Sequence, residues 1–363
     1  MAAVVAYVSG HGFGHSAREV EILRRLPPSV PLVVKTTAPE WFWREEVARD
    51  FELVPEAYDV GCLQTNSLDV DAAATLEAWH AVDARNRARA DAEADDLRAR
   101  GARVVVTDVA SFPLTVASRL GIPGLCVANF TWADIYAGLV PVEPGFVPVV
   151  AQLEREYAAA TLLLDAALSL PMRYFPRRRS VGLVARPGTP RRNTLLRFLG
   201  LDEDKPPRRR IALVYAGNWG LPLSWERLEA FADWHFVSVA AAAPVPVRNL
   251  TLIPRDLLRH ADLVASVDLV ISKPGYGLVG ECLSAGTPLL YCPRPEFAEY
   301  AALDAALRRW PGGLPIETAD FLAADWGRHL ERVPSREASG AAAAPGAETA
   351  ASEILAAATG RRA

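Results

Sequence analysis

Short apolar runs alternate along the chain with longer stretches whose apolar residues recur every three or four positions. In the first half the short runs have the length of buried strands, whereas the longer stretches have helical spacing. We predict strands at Val4–Val8, Leu32–Thr36, Glu52–Val54, Val104–Asp108 and Gly124–Ala128, with helices capped by Ser16 and at Trp41–Arg49, Asp71–Arg100 and Phe112–Leu120. This alternation is typical of βαβ units and a parallel sheet.

The alternation starts again after residues 172–210, where proline, arginine and glycine dominate. In the second half we predict strands at Ile211–Tyr215, Phe236–Val239, Leu250–Ile253, Asp268–Ile271 and Leu289–Cys292, and helices at Glu226–Trp234, Tyr276–Ala285, Tyr300–Arg309, Phe321–Arg332 and Glu348–Ala358. A break of this composition indicates a domain boundary. We therefore predict domains at 1–185 and 205–334, a linker at 186–204, and a flexible linker with a terminal helix at 335–363.

The stretch from residue 271 to 288 is the most informative part of the chain. A strand ends near Ile271, a tight turn follows at Pro274 and Gly275, and a helix runs on to a Gly286 stop. The free N–H groups and the positive end of a helix start favour an anion, and glycines let a pyrophosphate approach the backbone. Glu281 falls one turn further along the same helix, where its carboxylate is placed to accept hydrogen bonds from a ribose diol.

Gly275, Glu281 and the following Ala-Gly-x-Pro resemble the donor-binding signature of GT-B glycosyltransferases, including the lipid-linked GlcNAc transferase of peptidoglycan synthesis. In that family the carboxylate binds the ribose of a nucleotide sugar. The resemblance implies an α/β fold of GT-B type: two facing Rossmann-like, doubly wound domains with a C-terminal helix that returns to the first. A nucleotide sugar would be a co-substrate, so no cofactor is expected.

Polar residues follow the strands of the first half. His15 ends the glycine-rich turn after the first strand, and Asp108 ends the strand Val104–Asp108. Open α/β sheets place their sites at the carboxyl ends of strands, so we expect both side chains in one crevice, with Asn129 on the same rim. The glycines at 10, 12 and 14 lack the spacing of a dinucleotide fingerprint, which makes that interpretation weak.

Several separated blocks are similar to the glycosyltransferase-like N-terminal half of plant L-arabinokinases. They are residues 7–15 with Arg18, 106–109, 126–132 with Ile135 and Tyr136, and 273–277 with Glu281. The wider resemblance to plant-type glycosyltransferases assigns His15 the role of general base and Asp108 that of orienting it. The kinase half of those proteins has no counterpart here, and the tryptophan-led box of the plant transferases is missing from the nucleotide-binding half.

The candidate residues divide into a donor side and an acceptor side. The predicted donor-binding residues are Gly217, Asn218, Arg255, Lys273, Pro274, Gly275, Tyr276, Gly277 and Glu281. The predicted acceptor-side residues are His11, Gly12, Phe13, Gly14, Asn129, Trp132 and Tyr136. His11 has three open interpretations, which are contact with a phosphate, contact with the acceptor, or a hydrogen-bonded turn. Trp132 and Tyr136 have two, pocket lining or core. No metal site is expected, because the positive groups of the donor side would offset the diphosphate charge.

Composition limits the cellular compartment and the binding partners that we expect for this protein. The chain is 51% hydrophobic and 23% charged, and its formal net charge of -4 gives no reason to expect nucleic acid. Cys62, Cys126, Cys282 and Cys292 lack the paired spacing of a metal site, so we predict buried free thiols in a reducing cytosol. No apolar run reaches the ~20 residues of a membrane span, and the N-terminal apolar run is short for a signal peptide. We expect a soluble cytoplasmic protein, with its oligomeric state unspecified.

Three function classes agree with these patterns. The leading prediction is an inverting glycosyltransferase, in which a dedicated base suits direct displacement at the anomeric carbon. The second is a nucleotide-sugar 2-epimerase, in which histidine and carboxylates would act as acid and base. The third is a nucleotide-sugar-binding regulatory module without turnover. The sugar, the nucleotide base and the acceptor stay open in each.

Overall fold

The computed structural model of the chain describes residues 3–64, 69–201, 209–215, 222–239 and 246–360. Two parallel sheets account for every named strand in these ranges. The first sheet has the order β3-β2-β1-β4-β5-β6-β7 and the second the order β10-β9-β8-β11-β12-β13. Helices flank both sheets, and the chain has the doubly wound GT-B architecture that the sequence predicts.

The first sheet has a buried apolar centre, and its neighbouring strands all run parallel. Its strands are β1 Ala3–Val8, β2 Leu32–Lys35, β3 Glu52–Val54, β4 Ala102–Asp108, β5 Gly124–Ala128, β6 Leu162–Ala166 and β7 Arg178–Gly182. Its helices are α1 Phe13–Leu23, α2 Glu40–Val47, α3 Ala72–Ala88, α4 Ala90–Ala99, α5 Phe112–Leu120, α6 Trp132–Leu139 and α7 Phe146–Tyr157. The chain leaves β1 toward β2 and β3, then returns to place β4 on the other side of β1.

The second sheet repeats this plan with a switch between β8 and β11. Its strands are β8 Arg210–Tyr215, β9 Trp234–Ser238, β10 Leu250–Leu252, β11 Leu269–Ser272, β12 Leu289–Tyr291 and β13 Gly313–Pro315. Its helical segments are α8 Arg192–Leu199, the 3-10 helix Trp225–Ala230, α9 His260–Val264, α10 Tyr276–Ala285, α11 Tyr300–Leu307, α12 Thr318–Leu322, α13 Gly327–Leu330 and α14 Arg336–Ser339. A last helix, α15 Gly346–Ala358, contacts α1, β1, β4 and β7 of the first half, which confirms the predicted return.

Several helix predictions are wrong where tertiary contacts compete with helical spacing. The predicted helix over residues 71–100 is interrupted at Arg89, whose guanidinium lies 3.9 Å from the Tyr58 ring centroid and donates to the carbonyl of Ala57. Trp234 belongs to a strand rather than to the preceding helix. The predicted helix at 321–332 is two short helices on either side of the fully buried Trp326.

The alanine-rich segment before α15 is exposed at residues 340–343 and is joined to the second half by hydrogen bonds, while its predicted flexibility stays a prediction. The guanidinium of Arg336 donates to the carbonyls of Ala265 and Ala285, and the N–H of Ala342 donates to the carbonyl of Leu283 at 2.8 Å. These hydrogen bonds satisfy carbonyls at the ends of neighbouring helices. In the described part of the chain, no helix is both long and apolar enough to cross a membrane.

Candidate functional site

His15 and Asp108 meet at the topological switch of the first sheet. Strands β1 and β4 are neighbours, and Val8 lies opposite Asp108, so the loop after β1 passes over the end of β4. Gly12, with a φ of 76°, turns the chain into α1 and places His15 in the first helical turn. Ser16 lies inside this helix and is not its cap, which corrects the predicted start.

The His15 ring is held by one carboxylate. Its Nδ1 lies 2.7 Å from Oδ1 of Asp108, and Asp108 is fully buried. An ionised carboxylate accepts a hydrogen bond, so Nδ1 carries the proton and Nε2 is left with its lone pair. Nε2 has no hydrogen-bond partner among the described residues, and His15 lines a cavity.

Arg18 is a third member of this cluster, and the sequence analysis gave it no role. Its Nε donates to Oδ2 of Asp108 at 2.8 Å and its Nη2 to Oδ1 at 2.6 Å, while Nη1 donates to Asn129 at 2.5 Å. Burial alone would raise the pKa of Asp108, but the charges of Arg18 and His15 outweigh burial and lower the pKa. Asp108 is therefore held as the carboxylate that His15 needs.

Asn129 connects this cluster to the second half of the chain. Its Oδ1 accepts from Arg18, and its Nδ2 donates to Oε1 of Glu299 at 2.8 Å. Burial raises the pKa of Glu299. A series of hydrogen-bonded side chains, Asp108–Arg18–Asn129–Glu299, thus connects the two halves at the cavity.

The His11 ring is a neutral group in this wall. It packs edge-on against Trp132 at 5.5 Å, and a Cβ on Gly61 would come within 2.4 Å of the ring. Burial, followed by the charges of His15, Arg294 and Lys273, lowers the pKa of His11 to about 3. His11 therefore carries no charge at neutral pH, which disfavours its role as a cationic phosphate contact.

Trp132 packs against His11 and His15, and Tyr136 packs against Trp132. They are 2% and 0% exposed, and their rings stack at 5.9 Å. The indole N–H of Trp132 donates to Asp59 at 2.8 Å, and the Tyr136 hydroxyl donates to the carbonyl of Gly61 at 2.7 Å. These contacts favour the core interpretation for both. Asp59, which the sequence analysis missed, lines the cavity instead, and burial raises its pKa.

The start of α10 forms the opposite wall. Gly275 is the N-cap residue with an extended φ of -147°, and a Cβ there would contact nothing within 4 Å, so an open surface lies before the helix. A Cβ on Gly277 would lie 3.6 Å from Cα of Gly14, which places the first turns of α1 and α10 side by side. Two helix N-termini converge here and make the region favourable for an anion.

Lys273 and Tyr276 flank this helix start. Burial, followed by the charge of Arg294, lowers the pKa of Lys273 to about 7. The Tyr276 ring lies 5.1 Å below the Arg18 guanidinium, and its hydroxyl accepts from the N–H of Val184 at 3.0 Å. Tyr276 is thereby part of the packing between the two halves, while Lys273 and Pro274 line the cavity.

Glu281 lies behind the cavity wall in an ion-pair network. It is 3% exposed, its Oε1 accepts from Nε and Nη2 of Arg186 at 2.8 and 2.5 Å, and its Oε2 lies 2.7 Å from Nδ1 of His260. Arg186 also contacts Glu46 of α2 at 3.3 Å, so the network joins the two halves. Oε1 thus takes part in two hydrogen bonds and Oε2 in one, so Oε2 keeps an acceptor site, and the ribose contact stays a prediction.

We expect Glu281→Gln to remove about 3 kcal/mol of stability at pH 7. Burial opposes ionisation, but Arg186 and His260 outweigh it and lower the pKa of Glu281 from 4.5 to about 2. Because the folded-state pKa is depressed, this stabilisation is fully present above about pH 4.5 and is lost as the pH falls through about 2.

Urea unfolding of Glu281→Gln at pH 7 and pH 2.5 measures this dependence. Glu45→Gln, at an exposed carboxylate on the same side of the molecule, is the matched control and should cost nothing comparable. A stability loss in Glu281→Gln that is equal at both pH values would contradict the ion-pair explanation.

Arg255 lies over a second cavity of about 430 Å³ beside the first. Its guanidinium is 3.4 Å from the Trp41 ring centroid, and Phe13 packs against Trp41 and Phe42 at 5.8 and 5.3 Å. Phe13, Gly14 and Tyr215 line both cavities, so the two are adjacent. The predicted donor residues Gly217 and Asn218 lie outside the described residues.

The main cavity has a volume of about 610 Å³ and is walled by both halves. The structure brings the following predicted residues to its wall: His11, Gly12, Phe13, Gly14, His15, Asn129, Lys273, Pro274, Gly275, Tyr276 and Gly277. Arg294 and Glu299, which follow β12, line it too and were missed. The rule that sites lie at the carboxyl ends of parallel strands would have found Arg294, because it stands three residues after β12.

Comparison with known sequences gives one informative similarity. No protein-family model matches the chain. An L-arabinokinase of Arabidopsis thaliana is 29% identical over 337 residues, which are 91% of this chain and 32% of that protein. The predicted resemblance is confirmed, and the chain spans about a third of the length of the curated relative it matches.

Solved structures share the fold over nearly the whole chain. UGT89C1 of Arabidopsis thaliana, solved with UDP-L-rhamnose, has a TM-score of 0.64 at 13% identity, covering 98% of this chain and 99% of that one. The glycosyltransferase of kitacinnamycin has a TM-score of 0.59 at 18% identity, covering 98% and 95%. The calicheamicin glycosyltransferase CalG4 has a TM-score of 0.57 at 17% identity, again covering 98% and 95%. At these identities the likeness shows the GT-B fold.

Proposed function

We propose that this GT-B chain is a nucleotide-diphosphate-sugar-dependent glycosyltransferase, inverting and metal-independent, with His15 as its general base. The observation that carries the proposal is the 2.7 Å contact between His15 and Asp108 at the wall of a cavity whose other wall is the start of α10. A base and an anion-binding helix start on facing walls are what glycosyl transfer between two substrates requires. The UDP-sugar complex of UGT89C1, on the same fold, supports this reading.

The acceptor reaction follows from the tautomer of His15. Asp108 holds the proton on Nδ1, so Nε2 is free to take the proton of an acceptor hydroxyl. The acceptor oxygen then forms a bond to the anomeric carbon as the bond from that carbon to the diphosphate oxygen breaks. This single displacement inverts the anomeric configuration, the proton rests on His15, and the electron pair leaves with the diphosphate.

We assign the leaving diphosphate to the donor wall, which is the part of the cavity formed by Lys273 and the start of α10. The first turns of α10 and α1 present free N–H groups and two positive helix ends, and Lys273 adds a cation when protonated. These groups suit the charge that develops on the leaving oxygen. For this reason we propose that the diphosphate is stabilised without a metal ion.

A panel of nucleotide sugars tests the proposal directly. Incubation of the full chain with UDP-, GDP- and ADP-sugars and a mixture of hydroxyl acceptors should release free nucleoside diphosphate together with a glycosylated product. Isomerised sugar with no transfer would indicate epimerase activity. Binding with neither product would overturn the transferase assignment.

Nucleoside diphosphate binding should weaken as the pH rises through 7. The pKa of Lys273 is about 7, mainly because of burial, and a bound diphosphate would raise this pKa by adding negative charge. Binding therefore takes up a proton in this range, and affinity falls once the free protein has lost that proton. Calorimetry in buffers of different ionisation enthalpy measures the uptake, which Lys273→Met should abolish. Proton uptake that persists in Lys273→Met would contradict this assignment.

A binding module without turnover is the second candidate. It is favoured by the curated similarity, which covers about a third of a protein whose name is that of a kinase. On this reading the chain would bind a nucleotide sugar and pass the signal to a neighbouring domain or protein. The nucleotide-sugar panel separates the two candidates, since the module predicts binding without release of nucleoside diphosphate.

A further inference from the structure

Three arginines in the described chain are less than a tenth exposed: Arg18 at 4%, Arg186 at 6% and Arg294 at 7%. The first two are paired with carboxylates, Arg18 with Asp108 at 2.6 Å and Arg186 with Glu281 at 2.5 Å. Arg294 differs, since its Nε and Nη2 have no hydrogen-bond partner in the described part of the chain. Glu299 and Glu296 act on the guanidinium through their charge, but neither is hydrogen-bonded to it, so an anionic ligand is the natural source of the missing hydrogen-bond acceptor.

Arg294 is held at the cavity wall. It lines the main cavity, and its guanidinium lies 4.3 Å from the Phe297 ring centroid, which fixes its plane. Its charge contributes to lowering the pKa of Lys273 on the donor wall and of His11 on the opposite wall, in both cases after burial. Arg294 therefore lies within electrostatic reach of both halves of the cavity.

We propose that Arg294 binds an anionic group, a carboxylate or a phosphate ester, carried by the acceptor substrate. The assignment rests on the proposed glycosyltransferase function. The diphosphate is already served by the start of α10 and by Lys273, which follow β11. Arg294 follows β12, one strand further from the switch at β8 and β11. It lies over Phe297, which packs against Phe130 beside His15 in the half that holds the general base.

The chemistry of the acceptor follows from this placement. An anion on Arg294 would compensate the buried guanidinium, and it would hold the acceptor by one end while a hydroxyl at the other end meets Nε2 of His15. A neutral acceptor leaves the guanidinium without a hydrogen-bonded anion. Hydroxy acids, uronic acids and sugar phosphates are the compounds that carry both groups.

The first experiment measures an additional anion site in the full chain. UDP, GDP or ADP, whichever raises the Tm, is added to saturation, and inorganic phosphate is then titrated at constant ionic strength. We expect a further rise in Tm in the wild type and in Arg309→Met, an exposed matched control, but not in Arg294→Met. An equal phosphate response in Arg294→Met, or none in the wild type, overturns the proposal. If no nucleotide raises the Tm, the proposed function loses its donor site, while the comparison of the two variants still decides the role of Arg294.

The second experiment assigns the anion to its substrate. Initial rates are measured with glucose, glucose 6-phosphate and glucuronate as matched acceptors. Arg294→Met should raise KM for the charged acceptors by about 10- to 100-fold, the usual effect of losing hydrogen bonds to a charged group, and should leave KM for the donor unchanged. Three results would each overturn the assignment. Arg294→Met could lose affinity for nucleoside diphosphate, it could change KM only when the donor sugar is a uronate, or the wild type could prefer glucose to the charged acceptors.

Discussion

His15→Ala is expected to lower turnover by about 10²- to 10⁴-fold, the usual contribution of a positioned general base. Nucleoside diphosphate affinity should change little, because the start of α10 and Lys273 belong to the other half of the chain and the substitution keeps the backbone N–H groups of α1. Single-turnover rates and calorimetry of the same preparation measure the two effects. The loss should be seen in kcat, since the proton transfer occurs only as the acceptor attacks.

The control for this variant is His80→Ala, at an exposed histidine of α3 that lies outside the cavity. It should turn over at the wild-type rate. His15 packs against Phe130 and Trp132 at 5.7 Å, so His15→Gln, which keeps more of the side-chain volume, guards against a loss caused by misfolding. A folded His15→Gln with near wild-type turnover would rule out His15 as the base.

Asp108→Asn is expected to lower turnover strongly, by an amount that does not add to the loss from His15→Ala. The amide removes the charge that holds His15 in its tautomer, so the two residues act as one unit. The substitution also removes the charged partner of Arg18. Arg18 is 4% exposed, and among the described residues Asp108 is the one carboxylate to which it donates hydrogen bonds. Breaking a buried pair from one side costs about 3–5 kcal/mol of stability, so turnover must be measured well below the lowered Tm.

A second substitution separates orientation from stability. Arg18→Met combined with Asp108→Asn removes both members of the buried ion pair and should recover much of the lost stability, because no uncompensated charge is left. Turnover should stay low, since His15 still lacks its carboxylate. If turnover recovers together with the Tm, then Asp108 is a structural residue and its orienting role is wrong.

Much of the fold was predictable because buried parallel strands have a local signature. Runs such as Val104–Val106 are apolar throughout, and each strand named in the sequence analysis has a counterpart in one of the two sheets. The strands β6, β7 and β13 were not predicted; β7 and β13 are edge strands whose residues are partly exposed. The helix break at Arg89 was missed for a related reason, because its contacts with Tyr58 and Ala57 are tertiary.

The sequence by itself determined that His15 and Asp108 would share a crevice, since strand ends at a switch point must meet. It also determined the turn and the start of α10, because turn and helix signals are local. Only the tertiary structure decided that Arg18 shares Asp108, that Arg186 pairs with Glu281, and that Arg294 is buried without a hydrogen-bonded carboxylate. The physical reason is that the energy of a buried charge depends on which distant groups surround it, and spacing along the chain does not specify those groups.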